Sequence, residues 1–486
     1  MLVGNWGGLE KESHSFLLVC RHWFEIASCS PELWSFWGNT LKDWKRWHSR
    51  STVAPLDLVL AGTSVGDYDH LDATVSSAIR DYATRGAIRR VHLDCEDETI
   101  LDSVFSSLTP EDEGVQSSQI KSLILMNWNA LDIDVSVLFA RYSFPKLQCF
   151  DLHNYRISSW DHIGTRTGAL TELGLFPNYE SPSPSTPQLF SLLTSNPALQ
   201  TLKLCDPAIP TDDYKLSSFR IPLHHLKVLK LAGELRDVFN LLYRLDHPIL
   251  DKLEIFPSGC TVADISQVIG PYLRNYLKHR TDPQSGLGLC LSDKGNFSFF
   301  GEVDFMLRIG DPDLILMPDG NFVSLKIEFD TDTPTPLPKK AIPDLIAHVP
   351  LEKVTHFWSY NKHIAMCDIY SQLPNLESLI VDPESLSEVF PGPDTIESSA
   401  IPVSLKSLTL KWVEVDNGDW SSLLTFLARR VSAGNPLQML TIAGDSHMCL
   451  EIVEDVKRMV EVTEITGTDL FCPLGVCPNF DPDHPP

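Results

Sequence analysis

Along most of the chain, the apolar positions fall into one recurring phrase, Leu-x-x-Leu-x-Leu, with polar residues between. It reads LTELGL from Leu170, LQTLKL from Leu199, LKVLKL from Leu226 and LDKLEI from Leu250. It returns as LESLIV from Leu376, LKSLTL from Leu405 and LQMLTI from Leu437, with looser relatives in IKSLIL from Ile120 and LQCFDL from Leu147. With 66 leucines in 486 residues, the strict phrase should arise roughly twice by chance; seven copies mark a repeat. Successive starts at 120, 147, 170, 199, 226 and 250 are 27, 23, 29, 27 and 24 residues apart, and those at 376, 405 and 437 are 29 and 32 apart.

The spacing has a physical reading. The last two apolar residues of each phrase, such as Leu202 and Leu204, alternate inward on a short strand, and the first turns in from the preceding loop. Between phrases the period changes to that of a helix. Val238, Leu241, Leu242 and Leu245 stand at i, i+3, i+4 and i+7, as do Trp420, Leu423, Leu424, Leu427 and, one turn further, Val431. Leu189, Leu192 and Leu193 lead to a stop at Asn196-Pro197. One strand and one helix cannot bury their own apolar face, so stacking of units follows.

Over roughly residues 85–465 the pattern resembles the leucine-rich repeats, which implies an α/β fold: a solenoid with a curved parallel sheet and outer helices. The family often places Asn or Cys three residues after the last strand leucine, and only LGLFPN, with Asn178, complies. An irregular solenoid over 51–470 is therefore expected, least regular around 281–350. There LILMPDGNFVSLKIEF predicts two strands joined across Pro318-Asp319-Gly320-Asn321. NYESPSPSTP (178–187) and TDTPTPLPKK (331–340) read as exposed loops, and 471–486 as a disordered tail.

The first fifty residues follow other rules. Phe16, Val19, Cys20, Trp23, Ile26 and Ala27 keep three- and four-residue spacing, a helical stripe. Ser30-Pro31-Glu32 restarts a helix with a capping hydroxyl, a first-turn proline and an acid. Trp37, Leu41, Trp44 and His48 again keep helical spacing, and five of the eleven tryptophans lie between Trp23 and Trp47. So much aromatic surface on so few residues must pack on the downstream units or on a second protein.

The run LLVCRHWFEIASCSPELW resembles the later half of the F-box, with its Cys-Arg-x-Trp and Pro-x-Leu-Trp elements. The continuation WSFWGNTLKDWKRW is similar to that of F-box proteins from mushroom-forming fungi. The resemblance implies a small all-α module at 1–50 that docks on a Skp-type adaptor and through it on a cullin. Leu17, Val19, Cys20 and Trp23 would contribute to the adaptor face, and Leu33 and Trp34 would close the module against the next domain. The family opens with a helix containing Leu-Pro-x-Glu-Ile or similar, whereas MLVGNWGGLEKESH has no proline; the module is expected to be partial.

Charge narrows the partners. The net charge is −25, and residues 1–50 carry six basic and five acidic side chains, leaving −26 on the remainder. Such a surface repels phosphate backbones and anionic lipid, so neither nucleic acid nor membrane is expected as a partner. No stretch approaches the roughly 18 apolar residues of a membrane helix, and the start lacks a basic n-region. Eleven cysteines, odd in number and mostly scattered singly, fit buried thiols in a reducing compartment, cytoplasmic or nuclear. Cys472 and Cys477 near His484 fall short of a zinc ligand set.

Catalytic signatures are missing from the sequence: no phosphate-binding Gly-x4-Gly-Lys-Ser/Thr, no His-Glu-x-x-His, no Gly-x-Ser-x-Gly. Gly444-Asp445-Ser446 reads as a repeat loop, and the acids from Asp94 to Glu98 and Glu111 to Glu113 as a solvated stretch. The expectation is a protein without enzymatic activity, cofactor or metal, the substrate-recognition subunit of a Skp-cullin-F-box ubiquitin ligase. The alternative is a protein-binding scaffold whose F-box is vestigial. In either case the bound protein is not named by the sequence.

Overall fold

In a computed structural model the chain separates into two compact units, residues 1–250 and 251–486. The structure describes residues 36–37, 56–60, 73–95, 97–108, 119–127, 132–163, 169–211, 220–280, 287–297, 301–310, 322–327, 341–360, 369, 372–381, 389–390, 402–411, 420–443 and 450–466. Both units are mixed α/β with largely parallel strands.

The first unit runs β1 (Phe36–Trp37), β2 (Leu56–Leu60), α1 (Ala73–Thr84), β3 (Ile88–Asp94), α2 (Glu98–Leu108), β4 (Ser122–Met126), α3 (Ser136–Arg141), β5 (Cys149–His153), β6 (Glu172–Phe176), α4 (Thr186–Thr194), β7 (Thr201–Cys205), β8 (Ile221–Pro222), β9 (Val228–Glu234), α5 (Leu235–Leu242) and β10 (Leu245–Asp246). Strands β1 to β7 and then β9 pair in chain order, every pair parallel. β8 and β10 form a separate two-stranded pair. Parallel neighbours need a crossover, and the helices α1, α2, α3 and α4 supply several of them.

The leucine phrase sets the register. Leu123 faces Phe150, Phe150 faces Leu173, Leu173 faces Leu202 and Leu202 faces Leu229, and the second strand position repeats this from Leu125 to Leu231. The three apolar positions of each copy, from Ile120 to Ile255, are at most 3% exposed. Their burial, at about 1.5–3 kcal/mol for each fully buried large side chain, is the main force holding neighbouring strands together. The main chain repeats as well. The carbonyl of Lys121 accepts the N–H groups of Gln148 and Cys149; Gln148, Thr171 and Gln200 each accept two from the strand that follows.

β3 belongs to the same series, since Val91 and Leu93 stand in register with Leu123 and Leu125. Its phrase, IRRVHL, carries one leucine, which hid it from a leucine template. α4 forms as its spacing predicts: Leu189, Leu192 and Leu193 are buried, and Ser185 and Gln188 make a capping box. Asn196 ends it, its Nδ2 donating to the Leu192 carbonyl (2.8 Å) while its Oδ1 accepts the N–H of Leu170, just ahead of β6 (3.2 Å). Leu245, expected on the α5 stripe, lies beyond that helix in β10.

The 178–187 loop is less exposed than its composition suggests. Ser181 is buried, donating to Asn178 Oδ1 (3.0 Å) and accepting the Ile157 N–H (3.0 Å), and Trp160 Nε1 donates to the Pro182 carbonyl (2.7 Å).

The second unit runs β11 (Lys252–Ser258), α6 (Gly270–Arg280), β12 (Leu287–Phe297), β13 (Gly301–Gly310), β14 (Phe322–Ile327), α7 (Ala341–Ile346), β15 (Val354–Tyr360), β16 (Ser378–Val381), β17 (Ser407–Lys411), α8 (Trp420–Ser432), β18 (Met439–Ala443), α9 (Leu450–Met459) and β19 (Val462–Thr466). β12, β15, β16, β17, β18 and β19 pair in that order, all parallel. On the other edge of β12 lies β13, antiparallel to both β12 and β14, while β14 is parallel to β11, so β13 and β14 separate β11 from the parallel series. The expected irregularity around 281–350 is thus an antiparallel insertion. Its strand Phe322–Ile327 pairs with Gly301–Gly310; the anticipated partner at 314–317 lies outside the described residues.

In β15 the inward positions are Phe357 and Ser359, in register with Leu379 and Val381, so a buried serine stands where the phrase has an apolar residue. α8 also departs from its stripe. Trp420, Leu423 and Leu427 are buried, but Val431 is 44% exposed and Arg430 turns in instead. Its guanidinium donates to the carbonyls of Pro402 (3.0 Å), Val403 (3.1 Å) and Leu405 (2.6 Å).

Candidate functional site

Because side chains alternate along a strand, the residues between the leucines share the opposite face of each sheet. In the first unit one row of that face reads Val59, His92, Ile124, Asp151, Gly174, Lys203 and Lys230 across β2 to β9. The next row places Met126 beside His153 and His153 beside Phe176. Of these ten residues His92, Ile124, Lys203 and Lys230 are half-buried, while Val59, Met126, Asp151, His153, Gly174 and Phe176 are buried.

A buried carboxylate needs compensation. His153 Nε2 lies 2.9 Å from Asp151 Oδ1 and Lys203 Nζ 4.0 Å from Oδ2. The His153 ring is stacked on Phe176, centroids 4.4 Å apart and planes 8° from parallel. His92 Nε2 lies 3.3 Å from Met126 Sδ. Burial pushes the Asp151 carboxyl up, but the contact with His153 and the charges of His153, Lys203 and His92 outweigh it and hold it below the usual carboxylate range. Burial and the charge of His153 hold His92 below its ordinary value, against a smaller pull from Asp151.

The cluster can hold charge, but the thiols on its strands β5 and β7 are poor nucleophiles. Burial, with Glu172 nearby, pushes Cys149 up to about 11, and burial with Asp206 pushes Cys205 to about 12. Among the described residues, no group of three His, Cys, Asp or Glu is placed to hold a metal ion, and no helix is long and apolar enough to cross a membrane.

The adaptor-face residues expected from the F-box resemblance, Leu17, Val19, Cys20, Trp23, Leu33 and Trp34, lie outside the described residues, as do Ser446, Cys472, Cys477 and His484. Within the first fifty, Phe36 and Trp37 form β1, paired with Asp57 and Leu58, so Trp37 is in a strand rather than on the helical stripe. Lys203 and Thr409 occupy strand positions between inward leucines, each in its own unit, while Gln200 and Lys406 stand at the strand entrances and are exposed. Part of the acidic stretch acts locally, since Asp97 Oδ1 accepts both the N–H and the hydroxyl of Thr99 at the start of α2. Asp151 and His153 were legible only as polar residues inside LQCFDLHN, and Gly174 as a glycine inside a strand, which often marks close approach.

No family model matches the chain, and no curated protein matches it.

Proposed function

We propose that this chain is a non-catalytic recognition protein, an irregular leucine-rich-repeat solenoid that binds a target protein through the strand faces opposite its leucines. The observation that carries this reading is the register of the phrase: its apolar positions line up from strand to strand and are buried, which leaves the intervening side chains aligned on one face. Strands of an ordinary parallel sheet are covered on both faces and read as unbroken apolar runs; β7, β16, β17 and β18 alternate instead between buried and half-buried residues, which supports a sheet with one accessible face, whereas β5, β6 and β11 are buried on both faces.

The Cys-Arg-x-Trp and Pro-x-Leu-Trp elements at 20–34 support a more specific role, that of the substrate-recognition subunit of a Skp-cullin-F-box ubiquitin ligase. Catalysis would then belong to the partners, and this chain would position a substrate. Co-purification of the full chain with a Skp-type adaptor tests it. Binding lost on changing Leu17 and Trp23 to alanine supports the ligase role; binding unaffected by both changes, or absent from the start, leaves the alternative of a repeat scaffold with a vestigial F-box.

A further inference from the structure

The opposite face of the first unit gathers more basic groups than its one central carboxylate can balance. Asp151 is contacted by His153 at 2.9 Å and approached by Lys203 at 4.0 Å, on its own strand and two strands away. His92 reaches the same cluster through Met126, its Nε2 at 3.3 Å from the sulfur, and Met126 is the cross-strand neighbour of His153. We infer that this cluster is an acid-sensitive latch on the recognition face, in which protonation of His92 beside His153 loosens the packing of β3 to β6. The inference concerns the stability of this face and stands whether or not the chain serves a ligase.

The charged neighbours of His92 can be named element by element. On β2 its partner is Val59, and Asp57 is engaged by Arg89 (3.1 Å) and Arg90 (4.0 Å). On its own strand Arg90 and Asp94 stand two residues away on either side. β4 offers Ser122, Ile124 and Met126, none ionisable near neutrality, and β5 offers Cys149, Asp151 and His153. β6 contributes Gly174 and the exposed Glu172, and β7 contributes Lys203. Thus the carboxylate buried at the centre is already shared by a lysine and a histidine, and a proton arriving on the half-buried His92 adds a positive charge at the edge of that buried cluster.

The sign follows. A histidine held below its ordinary 6.5 in the folded chain binds its proton more readily when unfolded. Its contribution is complete above that value and is lost as the pH falls from 6.5 towards the lower folded value.

The test is the thermal midpoint of the full chain at about pH 7 and pH 5.5, for wild type and His92→Gln, with a carbon-13 histidine NMR titration of the wild type. The expected result is a midpoint drop on acidification that is about 2–4 °C smaller in the variant, and a His92 titration below 6.5. An equal drop in both proteins overturns the inference, and so does a His92 that titrates at or above 6.5. Should His92→Gln fail to fold, the wild-type titration alone decides.

Discussion

The carboxylate of Asp151 rests against the backbone of Gly174 on the neighbouring strand, in the space where any other residue would put its first side-chain carbon. A Cβ built at Gly174 would stand 2.1 Å from Asp151 Oδ1 and 2.9 Å from its Cγ. Gly174→Ala is therefore expected to push Asp151 away from His153 and to destabilise the chain by about 1–3 kcal/mol. Urea unfolding of the variant measures it, and an unchanged midpoint would show that the carboxylate has room to move.

Adjacent residues of β7 should differ sharply. Leu202 is fully buried between Leu173 and Leu229, whereas Lys203 is half-buried on the other face. Leu202→Ala is expected to cost about 2–5 kcal/mol, and Lys203→Ala about 1 kcal/mol or less, since its partner Asp151 keeps His153. Equal losses from the two changes in a denaturation series would contradict the inward assignment of the leucines.

Arg430 holds the entry to β17 by donating to three carbonyls. Arg430→Met keeps much of the length and removes the donors, with an expected loss of about 1.5–3 kcal/mol. Arg430→Lys should recover only part of it, because an ammonium lacks the flat fork that spans Pro402, Val403 and Leu405. Chemical denaturation of the three proteins ranks them; a lysine variant as stable as the wild type would reduce the guanidinium to a simple charge.

Cys149 and Cys205 should resist alkylation. With thiols raised to about 11 and 12, very little thiolate exists near neutral pH. Iodoacetamide at about pH 7.5 is expected to leave both unmodified in the folded chain and to modify both in denaturant, as read by peptide mass spectrometry.

How much of this was legible beforehand depends on which force fixes each feature. Burial of the phrase was readable because a parallel ladder demands the same apolar position in every strand, and Leu202 or Leu408 can satisfy it in few other ways. β3 and β15 escaped a leucine count because Val91, Phe357 and Ser359 meet the same demand with other side chains. Val431 kept the helical spacing yet is exposed, since in the last turn of α8 the buried place goes to Arg430, which follows Leu427 at i+3 and donates to the carbonyls before β17. The polar cluster was the least readable. Asp151 and His153 look like ordinary surface residues until the register sets Gly174 and Lys203 alongside them.

The paired N–H groups taken up by Lys121, Gln148, Thr171 and Gln200, and in the second unit by Glu377 and Lys406, bear on how such a chain could have grown. Each row presents to its successor the same carbonyl seat that it occupies on its predecessor. A gene duplication that adds one segment of the 23–29 residues between phrases in the first unit thus arrives with its docking geometry already made. A deletion of one whole segment closes over a matching seat. Copy number can change by whole rows without new chemistry, whereas a shift of one residue inside a row would turn its leucines to the solvent. Selection on length and selection on content are in this way separated by a single hydrogen-bonding position.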